Sequence, residues 1–434
     1  MKKGISFHNP ISLLYKKAST VFIINVVGTG INYISHVLLG RWIGVSGYGS
    51  YAYALSWVYS LVVLCGLGFT VSVLRYVPQY RAKNDSAHLS GFLKASFPMV
   101  LCSSIILASI MTAIIALGAF PNVNNVTLLI GVWILPFISQ FYLAIETIRA
   151  WRYVGTAYLP HMILQPLLHL LIVSAIYLYQ GKLESEQAIS SFLASTMVFM
   201  ICHYFVLRNI AKEEVSGAKS IYEVVKWLKV SLPMMMMIGF HAVIGRMDVL
   251  LIGMMMGAKD AGIYNAASKT AFLVSFILLA VNSIAAPMIS EYHNRKDRQE
   301  LQKIVGYSTK LSFYPSIAFG LFLFGFSETV LRIFGAGFEG GAWPLRLLVL
   351  GYIANTSVGP AKYLVNLTGI QNKSVGVYAF CVVFNIVLNL MLIPKYGTNG
   401  AAIATVSSMV LSNVFLSVLA KRHLGINTFV INFK

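Results

Sequence analysis

Apolar residues in this chain come in long blocks separated by short polar connections. Crossing a bilayer as a helix takes about 20 mostly apolar residues. Twelve blocks answer to that length: 19–40, 51–74, 95–118, 127–148, 157–179, 188–207, 230–256, 265–289, 308–331, 343–367, 374–394 and 400–420. The pattern predicts an all-α membrane protein of about twelve transmembrane helices. Pro136, Pro166, Pro233, Pro287, Pro315 and Pro360 fall inside the blocks, where kinked helices are tolerated if neighbours re-satisfy the freed backbone groups.

Composition removes the water-soluble alternative. Of the 434 residues, 57% are hydrophobic and 11% are charged, against roughly 25% charged in an ordinary soluble domain. A charge at mid-bilayer costs at least ~2.5 kcal/mol, so this deficit is what lipid demands. The net charge of +19 would point to nucleic acid in a soluble protein. Here the basic residues cluster between apolar blocks, which points to topology and to anionic membrane lipid. No zinc-finger, RNA-binding or Walker pattern is present, so neither a nucleic-acid partner nor ATP hydrolysis is expected. Cys65, Cys102, Cys202 and Cys381 lie in apolar blocks without CxxC spacing, which predicts buried free thiols. The runs Met234–Met237 and Met254–Met256 have no other soft ligand beside them and read as packing. No metal and no cofactor is expected. The polar, basic stretch Met1–Lys17 is no cleavable signal.

The basic side chains set the orientation. Every second connection carries them: Lys2 to Lys17, Arg75 to Lys94, Arg149 and Arg152, Arg208 to Lys229, Arg295 to Lys310, then Lys373 and Lys421 to Lys434, leaving nine of the 33 Lys and Arg elsewhere. By the positive-inside rule both termini are cytoplasmic and the number of spans is even.

The chain also repeats itself. Leu38, Gly40, Gly44, Gly49, Tyr51 and Ala54 recur at a constant offset of 213 as Leu251, Gly253, Gly257, Gly262, Tyr264 and Ala267. Six spans separate the copies, so the halves are parallel repeats about an axis along the membrane normal. The expected organisation is an N-terminal lobe over 1–212, a cytoplasmic linker over 213–229 and a C-terminal lobe over 230–434, with six helices in each lobe.

Several segments resemble the polysaccharide transporter (Wzx-like oligosaccharide flippase) family of the multidrug/oligosaccharidyl-lipid/polysaccharide (MOP) superfamily, which also holds the MATE exporters. They are LLGRWIGVSGYGSYAYA (38–54), DVLLIGMMMGAKDAGIYNAASK (248–269), APMISEYHNRKDRQELQKIV (286–305), IFGAGFEGGAWPLRLLVLGYI (333–353) and LVNLTGIQNKS (364–374). The resemblance implies a V-shaped, two-lobe fold that moves amphiphiles by alternating access.

Ionisable groups inside a span are functional hypotheses by default. Arg246 and Asp248 stand in the seventh span with His241 before them, and Asp248 and Lys269 match the acidic and basic positions of the family segment. They are read either as a charged cavity for a pyrophosphate head group or as an internal ion pair, although residues two apart on a helix do not face each other. Asn32 and His36 share a face of the first span with Asn25, and His161 and Gln165 share one of the fifth with His169. Asn355, Lys362 and Asn366 in the tenth span and Asn385 and Asn389 in the eleventh repeat the pattern. Such stripes line a hydrated path for sugar hydroxyls or make interhelical hydrogen bonds, worth ~0.6 kcal/mol on average. For Lys362, an ammonium at depth, a cavity role is expected. Glu146 with Arg149 and Arg152 is expected to form a salt bridge at the cytoplasmic rim, and Trp42, Tyr48, Tyr51 and Tyr53 to act as interfacial anchors.

The function expected is flipping of an undecaprenyl-diphosphate-linked oligosaccharide across the bacterial inner membrane, without enzymatic chemistry. Proton or sodium coupling and partnership with a polysaccharide polymerase and glycosyltransferases are further expectations. The alternatives are a MATE-like exporter of small cations, which would want an acidic cavity, and a membrane glycosyltransferase or polymerase, which would want acidic residues on sizeable outer loops. The orientation is checked by labelling cysteines from outside the cell. Glu184→Cys should react and Asp297→Cys should be spared, and the reverse pattern would overturn the assignment.

Overall fold

The computed structural model describes the backbone of residues 10–430 and the side chains of residues 22–430, apart from 237, 238, 240–244, 371 and 372. In chain order its helices are α1 (Pro10–Cys65), α2 (Phe69–Ala82), α3 (Ser86–Ala116), α4 (Asn125–Val132), α5 (Leu135–Ala150) and α6 (Val154–Leu159). A π-turn (Pro160–Leu164) leads into α7 (Gln165–Gln180), followed by α8 (Ser185–Val215), α9 (Val224–Met255), α10 (Ala258–Asn294), α11 (Arg298–Gly325) and α12 (Ser327–Arg332). A 3-10 turn (Phe338–Gly341) precedes α13 (Ala342–Thr356), α14 (Ala361–Leu367) and α15 (Gln371–Leu424).

Seven helical stretches among the described residues are long and apolar enough to cross a membrane. Two of these bend sharply, α1 at Gly44 and α15 at Gly397, so each holds two rods. Adding α9, α11 and the pair α13–α14 gives twelve rods among the described residues. Proline explains part of the irregularity. Pro136 opens α5 and Pro360 caps α14, so two of the six expected kinks are breaks between helices, while Pro166 follows a π-turn inside one continuous helical stretch, Val154–Gln180. Polar caps mark helix starts at the ends of the rods. Asp85 accepts from the His88 N–H, Asn124 from those of Val126 and Thr127, and Asp297 from that of Glu300.

The repeat is visible in three dimensions. Gly44 breaks α1 with φ 76° and ψ 174°, and Gly257 separates α9 from α10 with φ 101° and ψ 178°; both need a backbone that side chains rarely adopt. The two corners interlock reciprocally. A methyl group at Gly49 would overlap the Ala258 carbonyl oxygen, and one at Gly262 would come within 2.6 Å of the Val45 carbonyl oxygen. Both Gly49 and Gly262, and Val45 and Ala258, stand 213 apart. Hydrogen bonds follow a similar symmetry. Arg41 Nε donates to the Ile333 carbonyl at 2.5 Å, and Asn122 Nδ2 to the Met254 carbonyl at 3.2 Å. One apolar core runs through both halves at this end, including Tyr48, Tyr53, Tyr264 and Phe338.

Away from this end the cores separate, one in the first half and one in the second. The segment read as a linker is not free of the first half. Trp227 is fully buried there, donating from Nε1 to the Tyr80 hydroxyl at 2.9 Å and meeting Phe92 edge-on at 5.3 Å. Ser231, four residues on, donates to Ser72 at 2.6 Å. Gly49→Ala and Gly262→Ala should each cost about 1–3 kcal/mol through overpacking, read as a lower unfolding temperature in detergent. Both crowd one crossing, so the double variant should lose less than the sum. Unchanged unfolding in both would remove the crossing from the contacts that hold the halves together.

Candidate functional site

A cavity of about 820 Å³ lies between the halves. One wall is built by α1, α2, α5, α6, the π-turn, α7 and α8, and the other by α9 and α10. Along α1 it is lined from Gly28 to Leu39, so at 1.5 Å per residue it is about 16 Å long.

The end nearest the interlocked corners is closed by hydrogen bonds across the halves. Asn265 Nδ2 donates to the Tyr48 hydroxyl at 2.8 Å, and that hydroxyl stands 3.0 Å from His36 Nδ1. Tyr33 and Thr270 hydroxyls meet at 3.2 Å. Asn265 and Lys269 are four apart on α10 and share a face, so the helix that fastens the halves also sets an ammonium on the cavity wall. Arg246 of α9 lies beside it, its guanidinium over the Tyr59 ring at 4.8 Å. Among the described residues neither cation is paired with a carboxylate. At the other end Arg149 Nε meets Glu146 at 3.0 Å, and Arg149 also donates to the Tyr158 hydroxyl. The expected rim salt bridge is therefore present without Arg152, which is exposed.

The structure brings Asn32, His36, His161, Gln165, Arg246 and Lys269 to this cavity. His161 Nδ1 lies 3.2 Å from Gln165 Oε1, and Gln165 Nε2 donates to Thr196 at 2.9 Å. His169 lines the cavity with its Nε2 donating to the Ala188 carbonyl at 3.2 Å. Asp248 stands apart. It is 8% exposed and accepts from Tyr264 at 2.6 Å, Thr405 at 2.5 Å and Asn389 at 3.0 Å. These three neutral donors take the place of Arg246, which faces Tyr59 instead. Lys362 also lies outside the cavity lining, its ammonium 5.8 Å from the Tyr378 ring centre. The His241 side chain falls outside the described residues. The asparagines of the later spans make interhelical contacts, Asn413 with Asn355 at 2.9 Å and Ser374 with Asn366 at 3.0 Å.

Sequence reading missed the tyrosines. Tyr48, Tyr51 and Tyr53 are at most 2% exposed and are not interfacial anchors: Tyr48 and Tyr53 pack against the opposite half at Asn265 and Gly253, and Tyr51 stacks on His169 of its own half. Tyr51 lines the cavity with Tyr59 and Tyr142. The signal available was their density after the repeated glycines, which mark a close approach.

Comparison with known proteins places this architecture. The family model described as "Polysaccharide biosynthesis protein" matches residues 14–293, and the MatE model matches residues 233–391. An uncharacterized membrane protein of Methanocaldococcus jannaschii is 24% identical over 87% of this chain and 78% of its own length. The probable low-salt glycan biosynthesis flippase Agl15 of Haloferax volcanii is 25% identical over 55% of this chain, which spans about half of that relative, 49%. Among solved structures, the inward-facing conformation of a multidrug resistance MATE family transporter of the MOP superfamily superposes with a TM-score of 0.75 at 15% identity, covering 93% of this chain and 98% of the other. The lipid II flippase MurJ in its inward closed conformation gives 0.73 at 15% identity, covering 94% and 87%. The fold is that of these two solved membrane transporters. The chain belongs to the polysaccharide biosynthesis protein family.

Asp248 can be tested on stability. Asp248→Ala leaves three donors without an acceptor and should cost about 1–3 kcal/mol or more, seen as a lower unfolding temperature, with Asp248→Asn milder because one acceptor oxygen remains. A variant as stable as the parent would remove Asp248 from the polar core of the second half.

Proposed function

We propose that the protein flips a polyprenyl-diphosphate-linked oligosaccharide across the cytoplasmic membrane, with the diphosphate held by Arg246 and Lys269. The observation that carries this reading is a cavity whose two central cations have no carboxylate partner among the described residues. In a low-dielectric setting a cation needs a partner, water or an anionic ligand, and guanidinium and ammonium groups form strong charge-assisted bonds to phosphate oxygens. Flipping needs no covalent chemistry, so the protein acts as a transporter and not as an enzyme. The relatives named for glycan biosynthesis and lipid II flipping support the substrate class.

In this reading a lobe over 1–212 and a lobe over 230–434 rock about the cavity, with both termini in the cytoplasm. The Gly44–Gly257 end is the outer face and is closed here, while the Glu146–Arg149 end meets the cytoplasm. The carrier is undecaprenol if the membrane is a bacterial inner membrane. A small-cation exporter is disfavoured because Arg246 and Lys269 would repel its cargo, with Glu146 already engaged by Arg149.

The test is complementation in the source strain with its own gene deleted. Arg246→Ala and Lys269→Ala should each lower surface glycan roughly tenfold or more at unchanged protein level, as expected for a lost hydrogen bond to a charged group. Arg246→Lys should retain part of the activity, less if the guanidinium contact is bidentate. Full glycan output from both alanine variants would show that these cations serve packing alone.

A further inference from the structure

Six tyrosines border the cavity or its closed end, and they divide by what their hydroxyls do. Those of Tyr33, Tyr48 and Tyr158 bond to Thr270, to Asn265 and His36, and to Arg149. Those of Tyr51, Tyr59 and Tyr142 have no hydrogen-bond partner among the described residues and open onto the cavity. The Tyr53 hydroxyl, by contrast, is sealed inside protein. Tyr51 is 2% exposed overall, so its one free edge is the cavity edge.

The rings of these three are fixed while their hydroxyls are free. Tyr51 stacks on His169 with centres 6.0 Å apart and planes 10° apart. Tyr59 lies under the Arg246 guanidinium at 4.8 Å. Tyr142 meets His161 edge-on at 5.2 Å. All three line the same cavity as Arg246. Such pre-positioned groups bind with little ordering cost.

We propose that Tyr51, Tyr59 and Tyr142 form a subsite for the uncharged, hydroxyl-bearing sugar attached to the diphosphate, and so determine specificity; this rests on the diphosphate reading of Arg246 and Lys269. The chemistry separates the two ligand parts. Phosphate oxygens only accept, and the guanidinium and ammonium only donate. Arg246 and Lys269 can therefore satisfy the diphosphate with no help from phenols. A sugar hydroxyl both donates and accepts, and a phenol does the same. The amide of Asn32, on the same cavity wall, adds a matching donor and acceptor.

The test uses the full chain in detergent micelles, titrated by native mass spectrometry with two probes: undecaprenyl diphosphate, and undecaprenyl diphosphate carrying one N-acetylglucosamine. The parent should bind the sugar-bearing lipid roughly tenfold more tightly or better, since several hydrogen bonds are added. The triple variant Tyr51→Phe, Tyr59→Phe, Tyr142→Phe should lose that preference and keep its affinity for the bare lipid. Phenylalanine retains the ring under Arg246, so the diphosphate site is left in place. Equal weakening for both lipids would make the phenols phosphate donors, and an unchanged preference would make them packing. Either result overturns the subsite while leaving the diphosphate reading intact. A parent that binds the bare lipid without preferring the sugar also removes the subsite alone. A parent that binds neither lipid removes both readings.

Discussion

A cation inside a lipid-embedded protein must be neutralised by a fixed partner, kept wet, or met by a ligand, because hydrocarbon offers nothing to it. The protein solves the acidic version of this problem differently from the basic one. Asp248 is enclosed by three neutral donors and withdrawn from the cavity. Arg246 and Lys269 are given a cavity in place of a counter-ion. That asymmetry makes the space between the halves positive, and the architecture is arranged around it.

The position of the cations depends on close backbone packing elsewhere. Lys269 projects from the face of α10 that carries Asn265, and Asn265 is held to Tyr48 across the halves. Tyr48 in turn lies just beyond the Gly44 corner, beside the Gly49 and Gly262 crossing. Small residues there let two main chains touch, as they do wherever membrane helices approach closely. The charged site and the glycine crossing are therefore two ends of one packing arrangement on α10.

Much of this was legible in the sequence. Apolar blocks of bilayer length gave the rods, and six residues at an offset of 213 pointed to the parallel halves. The stripes Asn32–His36 and His161–Gln165 lie on the cavity wall, because helical spacing alone puts them on one face. Side-chain partnership was harder to read. Asp248 and Arg246 are neighbours in the chain, yet their partners come from α10, α15 and the second rod of α1, which no local pattern reveals. The tyrosines after Gly44 looked like interfacial residues because what buries them is distant in the chain, the opposite half for Tyr48 and Tyr53 and His169 for Tyr51. Lys362 looked cavity-bound from its depth along the chain, but the break at Pro360 starts a new helix, α14, just before it.

Trp227 separates the covalent seam of the molecule from its mechanical one. The first turns of α9 are part of the first half's core, through Trp227 and Ser231, although the repeat assigns that helix to the second half. Relative motion of the halves cannot then be absorbed in a slack connection before α9. In the proposed rocking of the lobes, the stretch of α9 between Ser231 and the Gly257 corner is what leads from one half to the other. Arg246 sits on that stretch, so the helix tied into the first half is also the one that carries a cavity cation.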